Sequence, residues 1–294
     1  MGNARYKRRF GDRAEGRQIR SISAFYKFTP YIMKTRNDAS IYFNDSVEIT
    51  ETDRWLRQKR AEGYKGMGFL HLFVAAYVRI ISQRPAINRF ISGQRIFARH
   101  NIEVVLAVKR ALTSDSDETT IKVVFDPTDT IFDVYRKLNE KIDEIKANGE
   151  ENNTEQAASL LFKLPGLVLR FFIGLCNLLD YFGLLPKIAL EVSPFHGSMI
   201  ITDMGSLGIP PVFHHLYNFG NLPVFLSFGA KRKVVELDKD GQPVERKYID
   251  FCATVDERIC DGYYYATAFK YLKYYLINPW LLETPPEKVE EDVF

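Results

Sequence analysis

A strand that runs straight into a helix leaves the surrounding fold little freedom, and residues 248–276 carry that pattern. Ile249, Phe251, Ala253 and Val255 alternate with Tyr248, Asp250, Cys252 and Thr254, the period of two that gives a strand two distinct faces. Asp261 and Gly262 then introduce Tyr263 to Leu276, a run of aromatic and small residues at helical spacing. Between them stands Asp256-Glu257-Arg258-Ile259-Cys260-Asp261-Gly262, a tight corner able to aim charged side chains into a cleft.

Upstream, the chain mixes strand and helix patterns. Ile22 to Met33 combines aromatics with Pro30 and reads as an irregular, packed lead-in. Ala39 to Thr50 reads as a strand, followed by a polar helix over Glu51 to Glu62 capped by Thr50. Gly66 to Ile81 has a wide apolar helical face and stops at Pro85. Arg95 to Ala98 and Ile102 to Lys109 read as a strand pair turning at His100 and Asn101, and Thr119 to Phe125 as a further strand. An amphipathic helix over Thr130 to Asn148 should stop near Gly149, with a polar loop over Glu150 to Gln156. Ser198 to Asp203 and Leu222 to Gly229 are strand-like, with a glycine-punctuated turn, Met204 to Pro211, after the first. Lys231 to Glu236 and Val244 to Val255 flank a hairpin turn at Asp238-Lys239-Asp240-Gly241.

Two regions stand apart. Arg5, Lys7, Arg8, Arg9, Arg13, Arg17 and Arg20 form a basic arm, either a contact for an anionic surface or a solvated tail. Ala157 to Val192 is apolar on almost every side, but Lys163, Arg170, Asp180, Lys187 and Glu191, with Pro165, Gly174 and Pro186, interrupt the roughly 20 apolar residues a bilayer span needs. The expectation is buried or subunit-interface helices, with contact at a membrane surface as the alternative. At 294 residues, 46% hydrophobic, the chain can bury a substantial core, and its net charge of +3 calls for no nucleic acid. Cys176, Cys252 and Cys260 fit reduced thiols in a cytoplasmic protein, and Met1 leads into charges and not into a secretory leader.

The corner resembles the Asp-His-Arg-x-x-Asp-Gly motif of dihydrolipoyl acyltransferases, the cores of 2-oxo acid dehydrogenase complexes, with Glu257 in place of the histidine. It is also similar to the His-x-x-x-Asp motif of chloramphenicol acetyltransferase. Further likenesses follow in the family's order: Arg84-Pro85-Ala86-Ile87-Asn88-Arg89-Phe90, then Ile102 to Lys109, then Gly197-Ser198-Met199-Ile200-Ile201-Thr202-Asp203-Met204-Gly205, then Phe228-Gly229-Ala230. The resemblance implies an α/β chloramphenicol acetyltransferase-like fold, a mixed sheet flanked by helices, forming a trimer with sites between subunits. It spans 35–282, leaving a basic arm and lead-in over 1–34 and a charged tail over 283–294. No stretch reads as a lipoyl-bearing unit, so no covalent lipoyl group is expected on this chain; a lipoyl or carrier protein would be a partner.

By the resemblance, coenzyme A or an acyl-thioester is the substrate. A histidine would deprotonate the thiol, and Thr202 would stand where a hydroxyl stabilises the oxyanion. Asp261 would fix the corner by pairing with an arginine, with Arg258 and Gly262 in structural roles. Glu257 serves as a base only if burial raises its pKa, since a free Glu lies about four units below a thiol. His214 and His215, in HHLYNFG, could supply the base instead; that string echoes the His-His-x-x-x-Asp-Gly of condensation domains but has Phe219 at its sixth position. His196, His71 and His100 read as structural, and no pair has metal-ligand spacing. Two functions follow: an acyltransferase, or a catalytically degenerate relative serving as a trimeric scaffold or binding protein.

Overall fold

The computed structural model describes residues 7–109, 118–148 and 163–294. Arg5, the stop near Gly149, the loop over Glu150 to Gln156 and the start of the apolar stretch lie outside the described residues.

A 7-stranded mixed sheet organises the molecule. Its path runs β2 (Ser40–Glu48), β10 (Pro243–Asp256), β8 (Val224–Phe228), β7 (Met199–Asp203), β5 (Ile102–Lys109) and β6 (Glu118–Phe125), with β9 (Arg232–Leu237) on β10. β7 runs parallel to both β5 and β8, and the remaining pairs are antiparallel. Alternation along the central strands separates two faces. Ile201, Leu226, Phe228, Phe251, Ala253 and Val255 point into the main core. Ile200 and Phe225 point the other way, into a small second cluster with Val105, Leu216 and Leu222.

The main core lies under α3 (Phe69–Gln83), α4 (Ile131–Asn148) and α7 (Gly262–Ile277). Buried residues run without a break from His71 to Ser82 of α3, wider than a surface helix allows, because α3 is enclosed by the sheet, α4 and α7. Phe73 stacks on Phe228 with ring centroids 4.7 Å apart. Full burial of such a side chain contributes about 1.5–3 kcal/mol. α3 starts later than its sequence period suggests, since Gly66 has a φ of +78° and Gly68 is extended.

Four local expectations are corrected. Residues 24–32 are not irregular: α1 (Ala24–Ile32) is helical, and the Tyr26 carbonyl that Pro30 cannot serve accepts the Thr29 hydroxyl at 2.9 Å. Nor is this segment packed on both sides: Pro30 is buried and Ile22 and Tyr26 lie against the main core, but Phe25, Phe28, Tyr31 and Ile32 are exposed. Thr50 does not cap α2 (Thr50–Ala61) but is its first residue, and its hydroxyl accepts the Lys247 N–H at 3.0 Å. β4 (Arg95–Arg99) and β5 are not a hairpin: β4 joins β3 (Arg89–Ser92) and β1 (Gly16–Gln18) in a separate three-stranded sheet.

β1 also draws the basic arm inward. Arg13 is buried and meets Asp180 at 3.2 Å, while Arg17 donates to the carbonyls of Asp292 and Val293. Arg89 grips the Asp292 carboxylate at 2.7 and 2.5 Å, so both ends of the described chain are strapped to the small sheet. The apolar stretch forms α5 (Gly166–Phe182) and α6 (Lys187–Val192). No residue of α5 is buried within this chain, so the buried alternative of the expectation does not hold. No helix among the described residues is long and apolar enough to cross a membrane.

Candidate active site

Thr202 and His214 meet on the second face of the sheet. β7 presents Thr202 beside Ser227 of β8, and Ser227 lies opposite Cys252 of β10. Residues 209–222 cross this face and are held there by hydrogen bonds. Ser227 Oγ donates to the Val212 carbonyl at 2.6 Å and accepts the Val212 N–H at 3.1 Å. Thr254 Oγ1 donates to the His214 carbonyl at 2.5 Å. The His214 ring stacks on Phe225, centroids 4.3 Å apart and planes within 11°, which brings Nε2 to 3.4 Å from Thr202 Oγ1.

Two glycines allow this close approach, and at Gly229 a Cβ would lie 2.5 Å from Pro211 Cδ. Gly220 has a φ of +80°, and a Cβ there would lie 2.1 Å from the Phe195 carbonyl oxygen. Any side chain at 220 would drive the end of the crossing segment away from Phe195.

The electrostatics favour a neutral imidazole. Burial, then the neighbouring His215, pushes the His214 pKa down. Thr202 is buried and its hydroxyl faces that imidazole. A hydroxyl donor beside an uncharged base can handle a proton and a developing oxyanion in one place. His215 does not join them: it is exposed, with its ring against Tyr217 at 4.9 Å.

The corner after β10 is built differently from expectation. Arg258 pairs with Asp256, not Asp261: Nε and Nη2 reach the two carboxylate oxygens at 2.8 and 2.7 Å. The Arg258 N–H also donates to Asp256, at 3.1 Å, and Nη1 donates to the Met33 carbonyl at 3.0 Å. Asp261 instead caps α7, accepting the Tyr264 N–H at 2.6 Å and the Tyr26 hydroxyl at 2.9 Å. A Cβ at Gly262 would meet nothing within 4 Å, so packing does not require glycine there. Glu257 is exposed; its N–H donates to the Ala39 carbonyl at 2.9 Å, and its carboxylate makes no hydrogen bond or ion pair among the described residues. A cavity of about 310 Å³ lies beside the corner, bordered by Lys34, Arg36, Asn177, Tyr181 and Arg258.

His196 and His71 serve packing. His196 is buried, with Nδ1 2.8 Å from Ser193 Oγ and Nε2 3.8 Å from Asp180; burial lowers its pKa. His71 Nδ1 accepts the Gly68 N–H at the start of α3. Among the described residues no group of three or more His, Cys, Asp or Glu could hold a metal. The residues that sequence reasoning missed are Ser227 and Thr254, which place His214. Their signal was present in the alternation of β8 and β10, which turns both away from the main core.

The fold matches solved acyltransferase cores. The cubic core of a pyruvate dehydrogenase multienzyme complex superposes with a TM-score of 0.57 at 14% identity, covering 93% of this chain and 95% of that one. The dihydrolipoamide acetyltransferase of Azotobacter vinelandii, solved to study a serine, a histidine and an asparagine in its catalytic mechanism, gives 0.52 at 17% over 93% and 95%. A chloramphenicol acetyltransferase gives 0.50 at 14% over 85% and 93%. No protein-family model matches the chain, and no curated protein matches it. At these identities the likeness is one of fold: an α/β, chloramphenicol acetyltransferase-like mixed sheet flanked by helices.

Proposed function

We propose that this chain is an acyltransferase that moves an acyl group between coenzyme A, or another thioester, and an acceptor, with His214 as base and Thr202 as oxyanion donor. The observation that carries the reading is the 3.4 Å approach of His214 Nε2 to Thr202 Oγ1. A fold shared with acetyltransferase cores supports it.

The residues fit a thiol substrate. His214 is held in the neutral form that can accept a proton, and a free thiol ionises near 8.5, within reach of an imidazole. In the forward step His214 Nε2 takes the thiol proton as the sulfur attacks the acyl carbonyl. Thr202 Oγ1 turns its hydrogen from the imidazole to the oxygen where negative charge develops. His214 then returns the proton to the departing sulfur or oxygen, leaving both side chains as they began. Coenzyme A enters and leaves as a substrate, and no metal is assigned a part.

The chain would work as a homotrimer, and a lipoyl or carrier protein would be an acyl partner. Glu257 also favours a second reading. Exposed and unpartnered in the motif position, it suits a degenerate relative that keeps the fold as a scaffold. Calorimetry with coenzyme A and acetyl-coenzyme A on wild type and Glu257→His decides between them. Saturable binding by wild type supports the transferase; no binding by either form leaves the scaffold.

A further inference from the structure

We infer that the face formed by α1 and α5 docks on an anionic lipid surface, lying on it and not crossing it. This inference stands independently of the catalytic reading. α5 turns its side chains outward in an ordered way. Leu167, Phe171, Leu175, Leu178 and Phe182 are all exposed, Leu167 at 83% and Phe171 at 72%. At 100° per residue these positions fall within an arc of about 80° that holds the most exposed apolar side chains of the helix, with Val168, Phe172 and Ile173 exposed outside it. The turn beyond extends it with Leu184 and Ile188. The less exposed Leu169, Cys176 and Asp180 lie on the opposite side, toward the body.

The charges select the partner. From residue 163 to 188 the exposed charges are Lys163, Arg170 and Lys187, all cationic. The one carboxylate in that span, Asp180, is turned inward to Arg13. α1 repeats the design: Phe25, Phe28 and Ile32 are exposed at helical spacing beside Lys27 and Lys34. No carboxylate occurs between Glu15 and Asp38. Lys34, two residues beyond α1, borders one cavity with Asn177 and Tyr181 of α5.

An apolar stripe fringed by Lys163, Arg170 and Lys187, with Glu191 on α6 as the exposed carboxylate beyond them, suits the headgroup boundary of an anionic bilayer, where leucine and phenylalanine enter the acyl layer and lysine and arginine meet phosphate. A second copy of the same face would bring like charges together. Spanning is excluded for α5 by its length and composition.

The test is co-sedimentation of the full chain with vesicles of phosphatidylcholine alone and of phosphatidylcholine mixed with phosphatidylglycerol. Binding to the anionic vesicles should exceed binding to the neutral ones roughly tenfold or more and weaken with salt. The variant L167D/F171D/L178D should lose that binding while keeping its melting temperature and oligomeric state, since the three side chains are exposed. Absence of binding to anionic vesicles, or equal binding by the variant, overturns the proposal. So does a variant that falls from oligomer to monomer, which would assign the stripe to a subunit contact.

Discussion

Arg258 closes on Asp256, two residues before it, with both carboxylate oxygens engaged and both side chains buried. The pair locks the end of β10 into a single path before α7 begins, and its remaining N–H ties the corner to Met33 beyond α1. Removing one partner leaves the other as an unpaired buried charge. Arg258→Ala or Asp256→Ala should each cost about 3–5 kcal/mol in urea unfolding. Asp261→Ala, which removes a helix cap, should cost about 1 kcal/mol. Equal losses at 256 and 261 would contradict this account of the corner.

Thr202→Ala removes the proposed oxyanion donor while leaving His214 in place. Acyl transfer should fall roughly 100- to 1,000-fold in kcat with KM little changed. A change confined to KM would place Thr202 in binding instead.

The acidic limb of the rate profile should report His214. Burial and His215 hold its pKa below the ordinary 6.5, so the neutral, proton-accepting form persists down to that pH. The rate should stay level as pH falls toward 6.5 and drop only below it, as the imidazole becomes charged. A limb rising through pH 7 or above would point to a different base.

Gly220→Ala tests the segment that carries His214. Left-handed backbone alone costs a non-glycine residue about 1–2 kcal/mol, and the Cβ would also collide with the Phe195 carbonyl. Stability and transfer should fall together, whereas Gly262→Ala, whose Cβ meets nothing, should leave both close to wild type.

Much of this fold was legible in the sequence because its strands alternate cleanly. The β9–β10 hairpin, α7 and α3 follow from period and turn chemistry within a few residues. The small sheet was not legible. β4 and β5 are adjacent in sequence, yet β4 pairs with β3 across the two-residue turn Gly93-Gln94 and with β1 in the arm, and the second is a long-range pairing that local alternation cannot express. α1 was hidden by Pro30, whose missing N–H is compensated by a single threonine hydroxyl. In the site, Thr202 and His214 were both nominated by the sequence. Their meeting depends on Ser227, Thr254 and the tight backbone at Gly220, which join residues far apart in the chain. The corner misled for the opposite reason: two aspartates flank Arg258, and spacing alone did not say which one it binds.

The central claim is that His214, not Glu257, is the base, and acetyl transfer from acetyl-coenzyme A to dihydrolipoamide by wild type, His214→Ala and Glu257→Gln measures it directly. Wild type should be active, His214→Ala should lose roughly 100- to 10,000-fold, and Glu257→Gln should run near the wild-type rate. Loss in Glu257→Gln with His214→Ala intact, or no transfer by wild type, would contradict it.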